Sequence, residues 1–167
     1  MLDVEQLLDD MTQALQGVFR ARGLEVLHPV GIRTGGVWIA RALSRRLGIA
    51  APCGELDIAF YRDDFSRIGL HPRVRPSWLP FETEGRHLLL VDDVVMSGRT
   101  VRAAMNELFD YGRPESITFA SLIDLGHREL PIQPDITGRS LALEAGQRIK
   151  LQGPEPLSLA IEEVANG

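Results

Sequence analysis

Apolar residues recur at three- and four-residue intervals from Leu2 to Arg22, at Val4, Leu7, Leu8, Met11, Leu15, Val18 and Phe19, with Gly23 following as a stop. That spacing is one stripe of an amphipathic helix. The same rhythm returns between Val37 and Leu47 through Ile39, Ala40 and Leu43. It appears again through Val101, Ala104, Met105, Leu108 and Phe109, with Gly112 placed for a left-handed C′ residue. Between these helices lie runs of another kind. Leu24 to Gly31 reads as a strand, although Pro29 lacks a ladder donor and argues against a central place in a sheet. Glu55 to Tyr61 alternates around Leu56, Ile58 and Phe60, as a half-buried strand does. Leu88 to Val91 and Ser116 to Ile123 are continuously apolar, the signature of strands covered on both faces. Strands alternating with helices predict an α/β protein with an open, mainly parallel sheet flanked by helices.

Two stretches depart from that alternation. From Arg62 to Arg86 the chain makes a long connection, with apolar residues at Val74, Trp78, Leu79 and Phe81 punctuated by Pro72, Pro76 and Pro80. Long loops in compact domains are usually functional, and this one is expected to form a flexible β-flap over residues 61–86. After Asp135 come short β pieces at Ser140–Leu143, Gln147–Leu151 and Leu157–Val164, with turns at Gly138, Gly146 and Gly153-Pro154. They are expected to make a small antiparallel edge. No repeat or second domain is visible, so residues 1–167 are taken as one domain.

Composition narrows the class. With 44% hydrophobic and 25% charged residues in 167, the chain can build one full-sized core. No apolar run is long enough to span a bilayer and the amino terminus is acidic, which predicts a cytoplasmic protein without a membrane partner. Cys53 is the single cysteine, so no internal disulfide can form, and a buried inert thiol is expected. A net charge of −5 disfavours a surface that attracts nucleic acid everywhere but leaves room for a local basic face.

The candidate chemistry sits where strands empty into helices. The run Leu88 to Val91 ends in Asp92 and Asp93; after two apolar residues comes the turn Met96-Ser97-Gly98-Arg99-Thr100, which opens a helix. A helix start offers unpaired N–H groups and a positive dipole end suited to a phosphate, and the Ser97 and Thr100 hydroxyls add donors. Adjacent carboxylates suit the vicinal hydroxyls of a ribose, directly or through Mg²⁺. A phosphate and a diol one ligand length apart suggest a ribose 5-phosphate. The alternative is that the two acids cap the helix and Gly98 merely shapes a turn. A second unit, Gly31-Ile32-Arg33-Thr34-Gly35-Gly36, again places a glycine-rich turn at a helix start, where backbone N–H groups approach an anion closely. The strand Ser116–Ile123 also ends in an acid, Asp124, before Gly126-His127-Arg128-Glu129-Leu130-Pro131-Ile132. Acids along one rim would suit a metal–polyphosphate, with Asp92, Asp93 and Asp124 as candidate ligands. His127 is expected to order its loop by hydrogen bonds; general-base chemistry is the other possibility.

The segment from Leu88 to Thr100 resembles the phosphoribosyl diphosphate (PRPP) loop of type I phosphoribosyltransferases. More of the chain resembles one branch of them, the PyrR family of pyrimidine operon attenuation proteins that are also uracil phosphoribosyltransferases. The match runs through Gly31 to Thr34, Glu55 to Ile58 with Tyr61 to Asp64, Val91 to Asp93 with Arg99 to Ala103, and Gly126 to Ile132. The resemblance implies a type I phosphoribosyltransferase fold whose flap is a hood, and transfer of the phosphoribosyl group from PRPP to uracil, giving UMP and pyrophosphate with Mg²⁺. It implies roles by loop: Asp92 and Asp93 on the ribose hydroxyls, Met96 to Thr100 on the 5-phosphate, and Ile32 to Gly35 on the pyrophosphate. Arg62 and Asp63 would close over the leaving group, while Ile123, Asp124 and His127 face uracil. A homodimer or higher homo-oligomer is implied as well.

A second implied role is binding of pyrimidine operon leader mRNA in the presence of UMP. Here the chain departs from the pattern. Leu125 stands where relatives have Arg, Gly35 replaces an Arg of the pyrophosphate loop, and Glu144 lies where relatives are polar and basic. Arg20, Arg22, Arg139, Arg148 and Lys150 remain as a candidate basic face for RNA. Two alternatives to the enzyme stand: a nucleotide-sensing RNA-binding regulator with little catalysis, and a purine phosphoribosyltransferase sharing the PRPP loop.

Overall fold

The computed structural model describes residues 2–58 and 77–164. Helix α1 spans Val4–Arg22; Asp3 caps it by accepting the Gln6 N–H, and Gly23 ends it in the left-handed region at φ 67°. There Gly23 and Leu24 donate back to the Arg20 and Phe19 carbonyls, which satisfies the last turn. Strand β1 is His28–Ile32, α2 is Gly35–Leu47, β2 is Gly54–Leu56, and β3 is His87–Val95. Helix α3 spans Arg99–Asp110, β4 Ser116–Asp124, β5 Ile136–Ser140, β6 Gln147–Gln152 and β7 Ser158–Glu163.

Strands β1 to β5 form a parallel sheet in the order β2-β1-β3-β4-β5, and β6 and β7 pair antiparallel as a separate two-stranded sheet. Side chains alternate across β3. Leu89 and Val91 join the core formed with α1 and α2, whereas Leu88 and Leu90 join the core with Val101, Ala104 and Leu108 of α3. The helices therefore cover opposite faces of the sheet. After β1 the chain steps outward to β2, then returns across β1 to β3. The crevice between the carboxyl ends of β1 and β3 is thus the topological switch point, where open α/β sheets bind ligands.

Several expectations needed revision. The first strand starts at His28 rather than Leu24, and Pro29 does sit in a strand flanked on both sides. Pairing with β2 begins only at Val30, so the missing N–H falls where β2 has not yet begun. The strand expected over Glu55–Tyr61 is confined to Gly54–Leu56 as far as it is described. Phe109 is 55% exposed; Ala103 takes a buried place on α3 instead. Gly112 adopts φ 150° rather than a C′ conformation, and a Cβ there would meet the Glu84 backbone at 3.0 Å.

The expected antiparallel edge divides in two: β5 joins the main sheet in parallel, and Ser140–Leu143 is not a strand beyond Ser140. Gly138 is inside β5, not in a turn, since a Cβ there would lie 2.5 Å from the Leu122 carbonyl oxygen and 3.2 Å from Met11 Sδ. The Leu122 backbone of the neighbouring strand demanded that glycine. Cys53 is partly buried, and that burial pushes its thiol up to about 11, so it stays protonated and inert.

Leu89 is fully buried in β3 between the two central neighbours of the sheet. Leu89→Ala should cost about 3 kcal/mol of unfolding free energy, read by urea denaturation, because the surrounding strands cannot close the cavity.

Candidate functional site

The carboxyl ends of β1 and β3 meet. Both acids lie beside the first turn of α2: Asp93 approaches Gly35, and Asp92 Oδ1 lies 3.4 Å from where a Cβ on Gly36 would be. The approach is so close that Gly35 has no room for a side chain: a Cβ would lie 2.7 Å from Asp93 Cγ. A Cβ on Gly36 would come 2.6 Å from the Val91 carbonyl oxygen, and one on Gly31 2.7 Å from the Gly36 carbonyl oxygen. Gly31 and Gly36 are required by contact between backbones, and Gly35 by the Asp93 side chain. Asp92 is buried at 6% exposure; its Oδ1 accepts the Asp93 N–H at 2.9 Å, and Asp93 Oδ1 accepts the Val94 N–H at 2.9 Å. The acids thus sit within β3, which runs on to Val95, and neither caps α3. Thr34 at the start of α2 makes no side-chain cap, and Gly98 precedes α3 at φ 92°.

Ile32, Arg33, Thr34 and Gly35 line one cavity of about 410 Å³ together with Asp92, Asp93 and Thr100. Trp38 and the strand Ile149-Lys150-Leu151 complete its wall. Sequence reasoning missed Trp38, which lies off the buried stripe of α2; it read the two strands of the hairpin but not their place beside the cleft, since they carry no motif. Lys150 was expected on an RNA face, yet its strand borders this cavity. A larger hollow of about 470 Å³ lies between the carboxyl-terminal ends of α1 and α2, lined by Phe19, Leu27 and Leu47. It holds none of the candidate residues except Arg20, from the RNA set, and lies at the opposite rim of the sheet.

The arginines around the cleft have carboxylate partners, whereas Lys150 on its wall has none among the described residues. Arg33 Nε reaches Glu55 Oε1 at 3.1 Å and its guanidinium approaches Asp57 at 3.7 Å, while Arg41 holds the other Glu55 oxygen at 2.9 Å. Arg99 pairs with Glu129 at 3.2 Å in solvent. Behind Asp57, Ser77 Oγ accepts its N–H at 3.0 Å and donates to Glu107 at 2.7 Å. Burial holds the Glu107 carboxyl above its usual value despite the Ser77 bond, and the charges of Asp57 and Asp110 add to that.

The loop after β4 behaves differently from expectation. His127 is exposed with φ 59° and makes no hydrogen bond among the described residues. Arg128 does the ordering: it grips both Asp124 oxygens, at 2.9 and 2.6 Å, and the Gly126 N–H also donates to Asp124 at 2.9 Å. The proposed metal role of Asp124 therefore does not match the geometry. Among the described residues no group of three or more His, Cys, Asp or Glu side chains is arranged to hold a metal. Ile123 is fully buried, so only its backbone can face a ligand. Arg62 and Asp63, and most of the expected flap, lie outside the described residues. At its described end, Trp78 and Glu55 exchange backbone hydrogen bonds at 2.7 and 2.8 Å.

Comparison with known proteins bears on this cleft. Residues 2–150 match the model of the phosphoribosyl transferase domain family. The chain is 56% identical to the Bifunctional protein PyrR of Pseudomonas fluorescens over 96% of this chain and 95% of that protein. Against the protein of that name from Pseudomonas aeruginosa strain LESB58 it is 58% identical, over 92% and 91%. Among solved structures, a hypoxanthine-guanine phosphoribosyltransferase from Bacillus anthracis superposes with a TM-score of 0.66 at 16% identity, covering 85% of this chain and 80% of that one. A Trypanosoma cruzi hypoxanthine phosphoribosyltransferase gives 0.67 at 18% identity, with 85% and 80% coverage. At such identities the structural matches speak for the fold alone.

The Asp124 carboxyl is held below its ordinary value of 3.8 because the Arg128 and Gly126 bonds outweigh the opposing effect of burial. A lowered native value contributes stability that is complete above the unfolded value and lost as pH falls through the native one. Thermal unfolding between about pH 5 and pH 2 should therefore show a steeper loss for the native chain than for Asp124→Asn.

Proposed function

The chain belongs to the phosphoribosyl transferase family, in the branch of the bifunctional PyrR proteins, and on that premise we propose that it is a uracil phosphoribosyltransferase. It transfers the 5-phosphoribosyl group of PRPP to N1 of uracil, forming UMP and pyrophosphate. The observation that supports this most is the shared cleft: residues 32–35, the two acids of β3 and Thr100 come from separate segments and line one cavity. Two helix starts beside one pair of acids suit a sugar carrying phosphoryl groups at both ends.

Displacement at the anomeric carbon passes through an oxocarbenium-like centre, so the protein's work is positioning and stabilisation of charge. Asp92 and Asp93 accept hydrogen bonds from the ribose hydroxyls. Backbone N–H groups from Met96 to Thr100, at the positive end of α3, hold the 5-phosphate. Residues Ile32 to Gly35, at the start of α2, hold the pyrophosphate. The backbone at Ile123 and the loop carrying Asp124 and His127 face uracil. Mg²⁺ fits this arrangement as a substrate-borne ion: two adjacent carboxylates without a third protein ligand suit a cation that takes most of its oxygens from phosphates. Asp92 and Asp93 would help to hold it, and when bound it supplies neutralisation of the departing diphosphate.

Steady-state formation of UMP from uracil and PRPP tests the assignment, with hypoxanthine, guanine and adenine as competing acceptors. Uracil is expected to be the one that reacts; turnover of a purine instead would replace the reading. Asp93→Asn should lower kcat/KM for PRPP about 10- to 100-fold, the equivalent of a charge-assisted hydrogen bond of about 1.5–3 kcal/mol. Gly35→Ala should raise KM for PRPP, since the added carbon forces the pyrophosphate loop off Asp93.

The second activity carried in the relatives' name, bifunctional, supports UMP-dependent binding of pyrimidine leader mRNA as a further role. Of the candidate cations, Arg22 is paired with Asp135 and Arg148 with Glu162, leaving Arg20, Arg139 and Lys150 without a carboxylate partner among the described residues. RNA filter binding with UMP present should weaken in an Arg20→Glu, Arg139→Glu double variant, with a shallower salt dependence. An unchanged affinity and slope would remove these residues from the RNA surface.

A further inference from the structure

Three successive carbonyls at the start of the proposed 5-phosphate loop are turned the same way. The Val95 carbonyl accepts the Leu125 N–H at 2.9 Å, Met96 accepts Arg128 at 2.7 Å, and Ser97 accepts the Glu129 and Leu130 N–H groups at 2.9 and 3.1 Å. Every donor belongs to the loop that follows β4. In a planar trans peptide the N–H points opposite to the C=O it is joined to. Drawing the Met96 and Ser97 carbonyls towards residues 125–130 therefore turns the N–H groups of Ser97 and Gly98 away from that loop, and among the described residues neither has a backbone acceptor.

Arg128 is the one side chain that takes part in this clamp, and its donors are fully used. Nε donates to the Ile132 carbonyl at 2.7 Å; the terminal nitrogens donate to Met96 O, to both Asp124 oxygens, and to Gln133 Oε1 at 2.8 Å. That makes five acceptors for the five N–H donors of a guanidinium. The group is only 14% exposed, as is its partner Asp124 at 15%. Asp124 neutralises it, so Arg128 is not offered to a ligand as a free charge. A lysine has three donors on a tetrahedral nitrogen and cannot reproduce this planar set.

We propose that Arg128 is a positioning residue: by tying Met96 to Asp124, Ile132 and Gln133 it fixes the orientation of the peptides that present N–H groups to a phosphate monoester. This rests on the assignment of residues 96–100 to the 5-phosphate. It goes beyond that assignment in giving the loop after β4, otherwise placed on the nucleobase side, control of the opposite end of the nucleotide. The pyrophosphate end, built on β1 and α2, has no bond to this clamp among the described residues and stays unaffected.

Binding of ribose 5-phosphate and of magnesium pyrophosphate, each measured by titration calorimetry on the full chain, separates the two ends without requiring turnover. Arg128→Lys, and independently Arg128→Gln, should weaken ribose 5-phosphate about tenfold or more while leaving pyrophosphate within about twofold, and in the uracil assay should raise KM for PRPP. Retained pyrophosphate binding certifies the fold in the same sample. Equal loss of both ligands, or loss of neither, overturns the proposal. Failure of the native chain to make UMP while it still binds ribose 5-phosphate would overturn the enzymatic assignment alone, and the binding comparison would still decide the role of Arg128.

Discussion

Contact between the first turn of α2 and the acidic segment of β3 is the constraint on which the cleft depends. Two parallel strands about 4.8 Å apart bring the ends of β1 and β3 side by side, but a helix leaving one strand normally keeps its side chains between itself and the next. Gly35 and Gly36 remove that spacing. With no Cβ at either position, the α2 backbone seats directly on Val91 and Asp93, and the amide end of a helix faces a carboxylate pair across one crevice. A side chain at Gly35 would separate the two halves of the proposed ligand site without touching any core residue, so function would fail there before folding.

The charges around the crevice follow a consistent division. Arg33, Arg41, Arg99 and Arg128 each have a carboxylate partner within 3.2 Å. Their effect is to brace loops: Arg33 and Arg41 tie the turn at residues 32–35 and α2 to Glu55, and Arg128 ties Met96 to Asp124 of β4. Apart from Lys150 on the cavity wall, backbone N–H groups are left as the principal donors to an anion there. Such donors cost no reorganisation when charge shifts towards a leaving group, because they are fixed before the ligand arrives.

Where the sequence carried periodic signals, it was legible: the three described helices stand within a few residues of their expected spans, and the apolar strands β3 and β4 are where they were expected. The glycine-rich turn and the acids of β3 also converge as expected, since both lie at strand ends that a parallel sheet must bring to one rim. What escaped had no local signature. Gly138 looked like a turn because close approach and a positive φ use the same residue. His127 looked more distinctive than Arg128, yet arginine's five-fold hydrogen bonding is visible only when Met96 and Gln133 are folded around it. The strands of the hairpin β6–β7 were legible from their alternation and pair antiparallel as expected, but their place beside Trp38 depends on long-range packing that alternation alone does not encode.

The register of β3 against β4 explains why the third acid has another task. Asp92 lies opposite Ser121, while Asp124 lies opposite Val95, three residues further along both strands. At about 3.3 Å per residue in a parallel strand, that is roughly 10 Å beyond Asp92 and about 7 Å beyond Asp93, and the Asp124 carboxylate is turned onto Arg128 instead. Its height is the one at which the chain leaves β3 for the 5-phosphate loop. An acid there can anchor an arginine that reaches across to Met96, whereas one at the position of Ser121 could not. The same one-directional run of the strands thus sorts the acids by height: the lower pair borders the cavity proposed for the sugar, and the upper one, through Arg128, holds Met96 in place.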